Sequence, residues 1–427
     1  MDSLSTPVAC LNCREKHLKC DGNTNGCVRC MSLDQPCYFV PSRRGRKTRP
    51  GPLPSIPVDV EGDVIEFIGS QYLPAYIALD KIDLLLSSTD EADLSVEKVQ
   101  AYLLLSVFSH GHLRPDNART CITRAVHNSL ELGLHQREAE SVRRTWWEIF
   151  VVDTILAAVQ VNGSLQFNMT ENPDVPLPHE DDESVDGRIS RPRSTLRDLE
   201  RELLPHNDGE FSSLAYRIEA TAMLRKSLIM AEAPSSQREL DLLDASIAAW
   251  FHRIPRSKRS IIRDIGEVDQ ILFQAHMFMH CASIYLHYPR SYLLAFLPSS
   301  REIFCPRFPG PSTSSANPQI HTATVVRGAV SVSKLAVLST SVINHSPFVA
   351  CMLVLSSVIQ LAILSVDWLP PFGADSQFLS LNIGILNSMG DTWPIAGNTI
   401  LRIREITREV QAGRAGDSGI FLDTLVV

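Results

Sequence analysis

Three observations predict an all-α fold for this chain of 427 residues. From about residue 60 onward, apolar residues recur at steps of three and four, the spacing of a helix's buried stripe. Alternation at strand length is scarce. Hydrophobic residues make up 44% of a chain whose mean hydropathy is +0.00, which suits a large soluble core and excludes wholesale disorder, collagen and a polytopic membrane protein. At about 150 residues per domain, the length points to two or three units.

The first element in chain order is a basic, cysteine-rich head. Residues 1–50 hold nine Lys/Arg against four acids, a balance of +5, so the other 377 residues carry −13 of the net −8. A basic head on an acidic body suggests a nucleic-acid or anionic contact at one end. Six of ten cysteines lie in the first 37 residues: Cys10, Cys13, Cys20, Cys27, Cys30 and Cys37. No charged segment followed by an apolar one marks the chain for export. Its three Asn-x-Ser/Thr tripeptides therefore read as chance, and clustered thiols in a reducing compartment read as metal ligands.

The spacing is C-x2-C-x6-C written twice with a six-residue joint. A structural zinc takes four ligands in a tetrahedron. Six thiolates fill one site with two to spare, or two sites if two sulfurs bridge. Each CxxC can open a short helix with both sulfurs converging.

Residues 10–37 resemble the fungal binuclear zinc-cluster DNA-binding domain at all six ligand positions. The resemblance implies two Zn2+ per chain, with Cys10 and Cys27 bridging. Cys13 and Cys20 would complete the first site, Cys30 and Cys37 the second. It also implies a CGG triplet read through the first helix.

The first spacer is cationic (Arg14, Lys16, His17 and Lys19), whereas 31–36 is not. Donors on a short helix suit the O6 and N7 acceptors of guanine in the major groove. Base reading therefore belongs to the first half. The sequence departs from the family pattern twice. His17 stands where Lys or Arg is usual, with shorter reach and a pH-dependent charge. Asn25-Gly26 replaces the proline before the fourth cysteine, and Gly26 can make the same turn at positive φ.

Arg43, Arg44, Arg46, Lys47 and Arg49 then form a basic arm that suits phosphates and nuclear import. Pro50, Pro52, Pro54 and Pro57 stiffen the linker after it.

The body's periodic segments are 97–110, 117–134, 142–161, 212–232, 240–253, 268–288, 322–341, 348–366 and 398–412. Ile122, Val126, Leu130 and Leu134 show the period in the second; Trp147, Phe150 and Val151 form a stripe in the third. Segment 348–366 has no charge and the length of a membrane span. Ser356, Ser357, Gln360 and Ser365 interrupt it, so it reads as a buried central helix and no membrane is expected. The charged stretch 179–201 and the Pro/Ser-rich stretch 298–318 read as loops.

Leu132-Gly133-Leu134-His135, then 143–153 with Trp146-Trp147, then Asn162-Gly163, are similar to the core of the fungal-specific transcription factor (middle homology) domain, loosely over 60–300. Here Arg143 or Arg144 is expected to pair with Asp153 or to cap the preceding helix.

The expected organisation is thus a zinc cluster at 1–42, a linker at 43–59, a helical regulatory domain at 60–297, a loop at 298–319, and a C-terminal part of the same body at 320–427. The expected function is a nuclear, sequence-specific regulator of RNA polymerase II transcription. Its partners would be double-stranded DNA, co-regulator proteins and a small-molecule effector. The alternative is a co-regulator whose zinc head contacts protein.

No catalytic role is expected: G-x-S-x-G, P-loop and G-x-G-x-x-G motifs are absent from the sequence. His276 and His280 share a helix face beside Cys281 but lack a third ligand and read as core. His110 and His112 read as a loop pair. Residues 58–100 show no sustained heptads, which predicts a monomer or a dimer made by the body.

Overall fold

The computed structural model describes residues 13, 16, 18–22, 27–33, 94–160, 163–167, 174–179, 194–201, 211–232, 236–263, 266–293, 317–338, 345–364 and 376–415. The chain divides into two compact units, Met1–Val58 and Asp59–Val427.

In the first unit α1 is the short helix Val28–Ser32. The second unit holds α2 Val96–Gly111, α3 Pro115–Glu131, α4 Glu140–Val159, α5 Leu196–Arg201, α6 Ser213–Glu232, α7 Gln237–Arg253, α8 Arg256–Arg259, α9 Gln270–His287, α10 Pro318–Val337, α11 Pro347–Leu364, α12 Ser376–Gly390 and α13 Pro394–Ala415. Among the described residues, β pairing is limited to two isolated bridges, Pro176 with Thr195 and Ile262 with Val268.

Caps explain several boundaries. Ser95 caps α2 through the Lys98 N–H, and Ser236 with Glu239 forms a reciprocal capping box at α7. Asp269 accepts from Ile271 and Leu272 at the start of α9. Pro opens α3 and α10, where a missing N–H costs nothing. After α3, Gly133 takes φ 61, a left-handed turn that favours glycine.

One hydrophobic cluster joins the helices of the second unit. α6 and α9 form its most extensive pair, and α2 packs on α3. α10 lies on α9, and α11 contacts α10, α12 and α13. No helix among the described residues is long and apolar enough to cross a membrane. α11 is buried along 348–363, as the charge-free stretch required.

Two helices depart from expectation. α12 occupies a stretch with no assigned period, because Ser380, Asn382, Gly384 and Asn387 dilute its apolar face. α5 lies in the stretch read as a charged loop; Asp198 accepts from the Thr195 backbone N–H at 2.8 Å and holds its start.

Candidate metal centre and DNA-binding head

Cys27 stands at the N-cap of α1, and its sulfur accepts the Cys30 N–H at 3.4 Å. The α1 start is held a second way: both Asp21 oxygens accept the Val28 N–H, at 3.1 and 3.3 Å. This cap crosses seven positions, so no local motif announces Asp21. In the first half, the Leu18 N–H closes back on the Cys13 carbonyl at 2.8 Å.

These turns bring thiols together. The sulfurs of Cys13, Cys20 and Cys27 all lie within 4.8 Å of one another. Cys13 and Cys27 are 3.8 Å apart, far beyond the ~2.05 Å of a disulfide. Zn–S bonds of ~2.3 Å at tetrahedral angles place two sulfurs about 3.8 Å apart. The donor set therefore fits a thiolate-bound zinc. Cys13, Cys27 and Cys30 are buried together with Cys20 packed against them, a core made almost entirely of thiols.

Lys16 and Lys19 are exposed, as a groove-facing role requires. In the second half, Met31 and Leu33 stand at the positions of Arg14 and Lys16 and are 63% and 56% exposed, so apolar side chains take the place of cations there. Cys10, Arg14, His17, Gly26, Cys37, Arg43, Arg44, Arg46 and Lys47 lie outside the described residues.

In the body, Trp147, Phe150 and Val151 are each 1% exposed, as their stripe predicted. The expected arginine pairing is corrected. Asp153 pairs with Arg225, whereas Arg143 and Arg144 both pair with Glu140. Arg144 also donates to the His179 carbonyl at 2.7 Å. The preceding helix is capped by Arg137, which donates to the Leu132 carbonyl at 3.2 Å. Asp153 lies nine and ten residues beyond the two arginines on α4, about 14 Å along the axis; it accepts from Gln166 and Phe167, and α6 supplies the nearer cation.

His110 is corrected as well: it lies inside α2, 3% exposed, with Nε2 3.3 Å from the Cys351 sulfur, while His112 caps that helix. His276 and His280 pack on Phe251, which agrees with a core role. Sequence reasoning missed one network. His287 Nε2 donates to Asp244 at 3.0 Å, and its Nδ1 shares a hydrogen bond with His321 Nδ1 at 2.7 Å. These residues lie on α7, α9 and α10, too far apart in sequence to form a motif.

Residues 8–47 match the fungal Zn(2)-Cys(6) binuclear cluster domain, and residues 69–252 match the fungal specific transcription factor domain. The chain carries the two domains of a fungal zinc-cluster transcription factor. Its zinc-cluster domain binds two zinc ions, and its broad function is DNA-binding regulation of transcription. The match to the fungal transcription factor domain runs through α2 to α7, so α8 to α13 lie beyond it.

The chain is also similar to the C6 finger domain transcription factor iacK of Pestalotiopsis fici, 25% identical over 95% of this chain and 81% of that protein. No solved structure gives a significant match.

Proposed function

We propose that the zinc-cluster domain reads a CGG-like triplet in the major groove, and that the helical body regulates this binding in an RNA polymerase II regulator in the nucleus. The observation that carries the proposal is the convergence of the Cys13, Cys20 and Cys27 sulfurs, with a 3.8 Å edge between Cys13 and Cys27. With Cys10 these three would hold one zinc ion, and Cys10, Cys27, Cys30 and Cys37 would hold the other.

The bound metal supplies cross-links that a unit this small cannot replace with apolar burial. The protein's own residues do the reading. Exposed Lys16 and Lys19, with Arg14 and His17, present donors to base edges. Arg43, Arg44, Arg46 and Lys47 hold phosphates and set register without reading sequence, and the same run serves nuclear import. Co-regulator proteins and a small-molecule effector would act through the body.

Full-length chain is titrated with a CGG duplex and a scrambled duplex at ~150 mM salt. At least a ten-fold preference for CGG, abolished by Lys16→Ala with Lys19→Ala, is the expected result. Equal affinity for both duplexes with a steep salt dependence would assign the head to the co-regulator reading.

A further inference from the structure

Helix α11 is buried along 348–363, so apolar packing alone fixes neither its rotation nor its register well. Its polar marks are Ser356, Ser357 and Gln360, which meet Ser333 of α10 and Asn382 of α12. None of the five is more than 1% exposed.

The hydrogens of this node can be counted. Ser356 donates to the Ala329 carbonyl and Ser357 to the Leu353 carbonyl, each at 2.7 Å. Ser333 reaches the Ala329 carbonyl at 3.3 Å. With those hydrogens committed, the hydroxyl oxygens act as acceptors. Gln360 Nε2 donates to Ser333 at 2.9 Å and to Ser356 at 2.8 Å. Asn382 Nδ2 donates to Ser357 at 3.1 Å and to Ser356 at 3.4 Å.

Both amide nitrogens are spent. Both carbonyl oxygens, Gln360 Oε1 and Asn382 Oδ1, are buried without a partner among the described residues. Turning either amide over does not help, because an NH2 group would then be stranded in place of one oxygen. The node has two acceptors in excess and no donor to match them. A bare buried acceptor costs about 1–3 kcal/mol, and buried water is the usual remedy in a polar pocket.

We propose that ordered water is bound in the α10–α11–α12 core, donating to Gln360 Oε1 and Asn382 Oδ1, and that the completed node fixes the register of α11. The ligand class is a neutral donor of water's size. No carboxylate is among the five side chains, so a cation there would be buried without compensation.

A crystal structure of the full-length chain at ~2 Å would show solvent density within hydrogen-bonding distance of both oxygens. Thermal unfolding of Gln360→Met and Asn382→Leu, which substitute apolar groups of similar size, supplies the second readout. Midpoints below the parent's, with density present, are expected. Absent density overturns the proposal, as do midpoints at or above the parent's, since a node that fixes the register of α11 cannot lose the bonds of Gln360 or Asn382 without cost.

Discussion

Asp153 and Arg225 lie seventy-two positions apart and form a partly buried ion pair at 3.0 Å, with Asp153 1% and Arg225 13% exposed. The carboxylate also accepts the backbone N–H groups of Gln166 at 3.0 Å and Phe167 at 3.1 Å. Arg225 in turn donates to the Phe167 carbonyl and to Thr154. Two helices thus clip the segment 163–167 from both sides. Asp153→Ala strips three donors of their acceptor and leaves the arginine without its charge partner, a loss of about 3–5 kcal/mol. Denaturant unfolding measures it, and Asp153→Ala with Arg225→Met should lose less than Asp153→Ala alone.

Gly163 is needed for a different reason. A Cβ there would lie 2.5 Å from the Ala157 carbonyl oxygen, a backbone atom that cannot step aside. Gly163→Ala should cost about 1–3 kcal/mol, the range for overpacking. A Tm equal to the parent's would show that the 163–167 segment adapts.

Acid should unfold the body early. Burial lowers His110, His276, His280 and His321 from the ordinary 6.5 to about 4; for His321, nearby His287 and Arg290 add to this while Asp244 and Asp241 oppose it. Each folded value lies below the unfolded one, so the unfolded chain binds more protons between them. The stability these groups contribute is present above pH 6.5 and is lost as pH falls toward 4. Glu219 works in the opposite direction. Burial raises it from 4.5 to about 7 against the pull of Arg253, so its contribution fades as pH rises through 7. Urea midpoints across pH 4–8 should fall steeply on the acid side, and His276→Phe should reduce that slope.

In the head, Asp21→Ala removes the cap on α1. Loss of such a cap costs about 1 kcal/mol, and because metal binding and folding are coupled in units of this kind, zinc affinity should fall roughly five-fold. A chelator competition on the full-length chain reads this directly. Unchanged affinity would mean that the thiols alone hold the helix start.

The sequence made some features legible and hid others for physical reasons. The doubled C-x2-C-x6-C unit marks its chemistry because thiolate ligands carry strict spacing, and the stripe containing Trp147 marks its helix because burial imposes period. The stripe drawn through 122–134 holds only at Ile122 and Val126, since Leu130 is 42% exposed and Leu134 lies past the end of α3, in a turn after Gly133. α12 stayed hidden because polar and small residues such as Asn382 and Gly384 weaken that period; its packing partners lie on α10, α11 and α13. Asp153 was assigned the wrong arginine because local spacing favours residues on its own helix, and Arg225 reaches it only in three dimensions. The Asp21 cap and the Asp244–His287–His321 network escaped notice for the same reason.

The most direct test of the account is selection of random duplexes by the full-length chain at ~150 mM salt, with and without a chelator, with zinc counted on the same sample. The account predicts two zinc ions per chain and enrichment of one CGG-like triplet that disappears when the metal is removed. A chain that holds two zinc ions yet enriches no sequence would contradict it.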